Sequence, residues 1–126
     1  MRMTVLIIED NYLFRRALER LIAAEGYRAV AFSSAEEALC SPEINRYNVA
    51  LLDLHLPGMW GDAFAKELSR RGHADPIAFV TSETGMDEQL KRLVPGCEVI
   101  SKPADLERLL SFLHRASDRF TAHVHN

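Results

Sequence analysis

The sequence predicts an α/β fold: a doubly wound five-stranded parallel sheet flanked by five helices. Three observations carry this expectation. Five short apolar runs, several of them rich in β-branched residues, alternate with five stretches whose apolar residues recur at helical spacing. Glycine or proline stands in most of the connections that lead from a helix into the next strand. Side chains able to do chemistry stand where four of the runs end: Glu9 and Asp10 after TVLII, Asp53 after VALL, Thr81 closing IAFVT, and Lys102 after VIS. A strand-helix alternation needs right-handed crossovers, which cover both faces of a parallel sheet with helices. Ligands of such sheets bind beyond the carboxyl ends of the strands, where all of these residues fall.

The elements follow in chain order. Thr4 to Ile8 reads as a fully buried strand. Asn11 can cap a helix that carries Phe14, Ala17, Leu18, Leu21 and Ile22 on one stripe and stops at Gly26. Arg28 to Phe32 is a weaker strand. Ser33 and Ser34, with Glu36 and Glu37 three places on, offer a capping box for a helix through Leu39. Val49 to Leu52 is the central strand and delivers Asp53 to its end. Pro57, Gly58 and Gly61 turn the chain into a helix with Phe64 and Leu68, closed by Gly72. Ile77 to Thr81 is the fourth strand, and the next helix presents Met86, Leu90, Leu93 and Val94 before Pro95 and Gly96. Val99 to Ser101 is the last strand. A leucine stripe, Leu106, Leu109, Leu110 and Leu113, marks the final helix as core-facing.

A chain of 126 residues can bury roughly two-thirds of its unfolded surface in one core. One domain is expected over residues 1–117, with 118–126 as a C-terminal tail. Hydrophobic content of 48% and charged content of 26% are ordinary globular values. The net charge of −3 supplies no basic field, so direct nucleic-acid binding is not expected. The longest apolar run, Val5 to Ile8, is too short to span a bilayer, and a cytoplasmic location without membrane attachment follows as the expectation. Cys40 and Cys97 lack CxxC spacing and read as buried small side chains. His123 and His125 read as part of a frayed tail rather than a metal pair.

Three carboxylates converging at one sheet edge repel one another. A divalent cation resolves the repulsion, and ligation by oxygen alone points to a hard ion: Mg²⁺, with Mn²⁺ as an alternative. Such an ion can orient a phosphoryl donor against an Asp53 oxygen while the Lys102 ammonium neutralises the other side. The product is an aspartyl phosphate, a group of nearly −2 charge for which the Thr81 hydroxyl and Lys102 are natural donors.

The acidic pair after the first strand, the block DLHLPGMWG, the threonine ending the fourth strand and Lys102-Pro103 together resemble the receiver domain of two-component response regulators, over Thr4 to about Ser117. The resemblance implies the flavodoxin-like receiver fold, with Asp53 as phosphoacceptor. It implies that Asp10, Asp53 and the backbone carbonyl of His55 bind Mg²⁺ directly, that Glu9 acts through water, and that Thr81 and Lys102 read the phosphoryl group. A cis Lys102-Pro103 bond is expected in the tight turn. The phosphoryl source would be a histidine kinase or a histidine phosphotransfer protein. The output would be contact with a downstream protein, made by a stand-alone receiver through the face of the fourth helix, fifth strand and fifth helix, where a homodimer is also compatible. The module would catalyse only its own phosphorylation and dephosphorylation.

Departures from the family pattern bear on output. Val99 stands at the switch position where the family usually has an aromatic side chain. The segment from Thr81 to Lys102 is about one residue short and contains Pro95, so a shortened or displaced fourth helix is expected. His55 and Glu83, two residues after Asp53 and Thr81, are expected to tune the lifetime of the phosphoryl group, by bulk and by pairing with each other. Trp60 reads as a partly exposed lid or contact residue, with core packing an equal alternative. Two other functions remain open from sequence: a Mg²⁺-dependent phosphatase-type enzyme or nuclease using Asp53, and a degenerate receiver that binds partners without phosphorylation.

Overall fold

The computed structural model describes residues 2–102 and 105–125, except for the side chains of 123–125. Its elements are β1 (Thr4–Ile8), α1 (Tyr12–Ala24), β2 (Arg28–Phe32), α2 (Ala35–Leu39), a 3₁₀ turn (Pro42–Asn45), β3 (Val49–Leu52), α3 (Gly61–Arg70), β4 (Ile77–Thr81), α4 (Asp87–Leu93), β5 (Glu98–Ser101) and α5 (Leu106–His125). All strand pairs are parallel, in the order β2-β1-β3-β4-β5. The five-stranded doubly wound α/β fold is therefore the one expected.

Local chemistry explains the elements. The Asn11 side chain accepts the Phe14 N–H at 2.9 Å and caps α1, and Ser34 accepts the Glu37 N–H at 3.1 Å to cap α2. The period of two in the strands sorts side chains to opposite faces. Leu6, Ile8, Ala50, Leu52 and Phe79 pack with Ala35 and Ala38 of α2, Phe64 and Leu68 of α3 and Leu90 of α4. Val5, Ile7, Val49, Leu51, Val80 and Ile100 pack with Leu18 and Ile22 of α1 and with Leu109, Phe112 and Leu113 of α5. Two helices thus cover one face and three the other.

Several expectations need correction. Leu106 opens the predicted core stripe of α5 but is 53% exposed, because the helix starts beyond the sheet edge; Leu109 and Leu113, one and two turns on, are buried. Ala17 of α1 is exposed. Cys97 is buried as expected, whereas Cys40, at the C-cap of α2, is exposed. The stretch 118–126, read as a tail, is helical to His125 as the continuation of α5. The 3₁₀ turn, capped by Ser41 with Pro42 at its start, was not foreseen. The fourth helix is short, as expected: α4 has seven residues and stops before Pro95. The Lys102-Pro103 bond and the side chains of His123 and His125 lie outside the described residues.

The strand order creates the crevice. From β1 the chain moves to β2 on one side and then to β3 on the other, so the loops after β1 and β3 diverge and leave an opening at their carboxyl ends. Glu9, Asp10 and Asp53 stand there. Gly61 fixes the third wall of this opening. Its N–H donates to the Leu54 carbonyl at 2.8 Å, and a Cβ added to it would overlap the Asp53 carbonyl oxygen and approach the Leu54 Cα to 3.0 Å. Gly61→Ala is therefore expected to destabilise the domain by about 1–3 kcal/mol, measured by urea denaturation, because the obstacle is backbone that cannot swing aside.

Candidate functional site

Three strand ends supply the charged groups. The β1 pairing runs Ile8 against Leu52, and the Asp53 N–H continues the ladder by donating to the Ile8 carbonyl at 3.0 Å. The carboxylates that follow β1 and β3 are thereby side by side. Glu9, Asp10 and Asp53 each present a carboxylate oxygen within 4.8 Å of the other two. Glu9 and Asp53 are buried and Asp10 is exposed. From the end of β5, two strands away from β3, Lys102 reaches back across β4: its Nζ lies 2.6 Å from Glu9 Oε1 and 3.3 Å from Asp53 Oδ2. Its own N–H donates to the Thr81 carbonyl at 2.9 Å, which anchors the lysine to the end of β4.

Each carboxylate has further hydrogen bonds. Glu9 Oε2 accepts the Asn11 N–H at 2.9 Å, and Asp53 Oδ1 accepts the His55 N–H at 3.1 Å. Burial pushes the Glu9 carboxyl above the usual range against the hydrogen bonds from Lys102 and Asn11, and the Asp53 charge adds to the rise. Burial pulls the Lys102 ammonium down, but its hydrogen bond to Glu9 and the charges of Asp53 and Glu9 outweigh it, so the net shift is upward. Thr81 is buried, and its Oγ1 accepts the Glu83 N–H at 3.0 Å, leaving its own hydroxyl hydrogen to be donated elsewhere.

Other contacts at the site had no distinct sequence signal. The Lys102 ammonium lies 4.8 Å from the centre of the Phe14 ring, a cation–π contact. Phe14 had shown only as one member of a helical stripe. Arg15 Nη1 donates to the Glu9 carbonyl at 2.8 Å and closes the loop after β1 onto α1. On the solvent side, His55 Nε2 and Glu83 Oε1 are 2.8 Å apart, joining the loops after β3 and β4. Trp60 is 52% exposed and packs its ring 4.5 Å from that of His55, so the exposed reading holds. Val99 is buried in β5, paired in register with Phe79, and faces the α4 side of the sheet.

The donor set fits a hard cation. Three oxygens within mutual reach, with no nitrogen or sulfur among them, match the octahedral oxygen ligation of Mg²⁺ with room for waters. The Lys102 ammonium shares two of these carboxylates, Glu9 and Asp53, so positive charge already stands beside the oxygen cluster.

Comparison with known proteins agrees with this geometry. The family model described as the response regulator receiver domain matches residues 5–114. The chain belongs to this family. Among curated relatives, the receiver domain is 32% identical over 120 residues to the two-component response regulator PhoP of Pseudomonas aeruginosa, covering 91% of this chain and 53% of that protein. It is 29% identical over 108 residues to the transcriptional regulatory protein PcoR of Escherichia coli, covering 85% of this chain and 48% of PcoR. The chain thus spans about half the length of these relatives. Among solved structures, the Vibrio cholerae chemotaxis protein CheY4 superposes with a TM-score of 0.82 at 26% identity, covering 92% of this chain and 99% of that one. The non-phosphorylated HemR receiver domain of Leptospira biflexa gives 0.79 at 26% identity, with coverages of 91% and 94%. No helix among the described residues is long and apolar enough to cross a membrane.

The charge arrangement makes two stability predictions for the receiver domain. The Glu9 carboxyl has a raised folded-state pKa, so its stabilising contribution is complete below 4.5 and is lost as pH rises through the raised value. Glu9→Gln is uncharged throughout, so its stability relative to the parent is expected to increase across that window in urea titrations at successive pH values. Lys102→Ala leaves Glu9 and Asp53 without their shared cation. At pH 7 it is expected to lose roughly 2–3 kcal/mol, less than for a fully buried pair because Lys102 is partly exposed, with the deficit shrinking as pH falls towards 4.5.

Proposed function

We propose that Asp53 is the phosphoacceptor of a two-component or phosphorelay pathway, taking a phosphoryl group from a histidine kinase or a histidine phosphotransfer protein in a Mg²⁺-dependent step. The observation that carries this reading is the single ammonium of Lys102 bridging Glu9 and Asp53 from three different strand ends. That is an arrangement for balancing charge that arrives and departs. Asp10, Asp53 and the His55 carbonyl would hold Mg²⁺ directly and Glu9 through water. The ion, when bound, supplies electrostatic stabilisation of the transferring oxygens. An Asp53 carboxylate oxygen attacks phosphorus, the P–N bond to the donor imidazole breaks, and the leaving nitrogen keeps the electron pair and takes up a proton. Lys102 then exchanges its hydrogen bond with Asp53 for one with a phosphoryl oxygen, and the Thr81 hydroxyl donates to another.

The surroundings suit a protein donor. Leu13, at 78% exposure, and Phe14 line an open cleft beside Lys102, an apolar ledge next to the reactive carboxylate. Incubation with a small acyl-phosphate donor and Mg²⁺ is expected to add one phosphoryl group per chain, read by intact mass. Asp53→Asn removes it, and chelation of Mg²⁺ slows its appearance at least about tenfold. Sustained turnover of a general phosphomonoester would instead favour the phosphatase-type enzyme.

The His55–Glu83 pair, buttressed by Trp60, joins the loops that follow Asp53 and Thr81, and in this reading it governs how readily water reaches the phosphorylated state. Glu83→Ala frees the histidine and is expected to change the dephosphorylation rate by at least about threefold, as is His55→Asn. Rates equal to the parent in both variants would remove this role.

A further inference from the structure

The opposite edge of the sheet carries a second charged constellation that phosphoryl chemistry does not use. Arg2 precedes β1, Arg28 opens β2 and Arg46 lies in the loop before β3. Because β1 lies between β2 and β3, with Thr4 in register with Arg28 and Val5 with Val49, the three arginines come together at the amino-terminal ends of three adjacent strands. They line one cleft of about 410 Å³, together with Asn45, Asn48 and Phe120 of α5. Among the described residues, no carboxylate lines this cleft. All three arginines are exposed. The ion pairs formed by arginine and lysine among the described residues engage Arg16, Arg70, Arg71, Lys102 and Arg115, and none involves Arg2, Arg28 or Arg46.

In a chain of net charge −3, a cleft lined by three arginines and by no carboxylate among the described residues is a local concentration of positive charge. The neighbours add donors. Asn48 spends its Oδ1 on the Thr4 N–H at 2.8 Å, which turns its amide NH₂ to other use. Three guanidinium forks lining one cleft can each take up a pair of phosphoryl oxygens, more than the terminal oxygens of one phosphoryl group supply, and they suit two linked phosphoryl groups. Phe120, half-buried at the wall of the cleft, offers an aromatic edge to whatever the phosphates carry.

We infer that the cleft of Arg2, Arg28 and Arg46 is a binding site for a diphosphate group, free or as part of a nucleotide, remote from Asp53. Calorimetric titration of the 126-residue chain with pyrophosphate, and separately with ATP, without Mg²⁺ at about 50 mM salt, tests it. One-to-one binding that weakens as salt is raised is expected. Arg28→Glu combined with Arg46→Glu is expected to weaken it at least about tenfold, and the milder Arg28→Ala with Arg46→Ala to weaken it less, both with unchanged far-ultraviolet circular dichroism. Tighter binding of ATP than of pyrophosphate, with the difference lost in Phe120→Ala, would identify a nucleotide; equal binding would identify the diphosphate group itself. Absence of binding, affinity unchanged in both arginine double variants, or loss of binding in Lys102→Ala instead would overturn the assignment, the last by placing the anion at the Asp53 edge.

Discussion

The ammonium of Lys102 is the group on which the candidate site depends. Two buried carboxylates, Glu9 and Asp53, sit at neighbouring strand ends where their ionised forms would repel in a poorly solvated setting. Lys102 compensates both at once, at 2.6 and 3.3 Å, and is itself held by the main chain of Thr81 and by the face of Phe14. None of these charged groups would be stable there alone.

The sheet makes that balance rigid. Alternate residues of the central strands are locked into two separate cores, one under α1 and α5 and the other under α2, α3 and α4, so no strand can shift register without turning core side chains to the wrong face. The carboxylates inherit this precision through the ladder bond from Asp53 to Ile8. Gly61 adds a constraint of a different kind, by bringing the start of α3 against the backbone of Asp53 and Leu54 more closely than any side chain would allow. Beyond the strands, His55 pairs with Glu83 and packs against Trp60, joining the loops after β3 and β4. Val99 is buried in register with Phe79 and carries no aromatic ring, and α4 on that side of the sheet has seven residues.

The two ends of the sheet are electrostatic opposites. The carboxyl end gathers three acids around one lysine, and the amino end gathers three arginines with no acid among the described cleft residues. A chain of net charge −3 thus carries an acidic cluster around one lysine at the carboxyl ends of its strands and an arginine-lined cleft at their amino ends.

How much of this was legible beforehand depended on the range of the interactions. The strands, the caps at Asn11 and Ser34, and the placement of Glu9, Asp10, Asp53, Thr81 and Lys102 at strand ends are local facts, set by periodicity and by residues a few positions apart, and the amino-acid sequence alone determined them. Leu106 and Cys40 were misjudged because apolar character says a side chain can be buried but not whether the sheet extends far enough to cover it. The 2.6 Å approach of Lys102 to Glu9, the pairing of His55 with Glu83, the support from Phe14 and the gathering of Arg2, Arg28 and Arg46 join residues 28 to 93 positions apart, or come from three strands at once. Only the tertiary structure decided these, because strand order and register, not composition, choose which strand ends become neighbours.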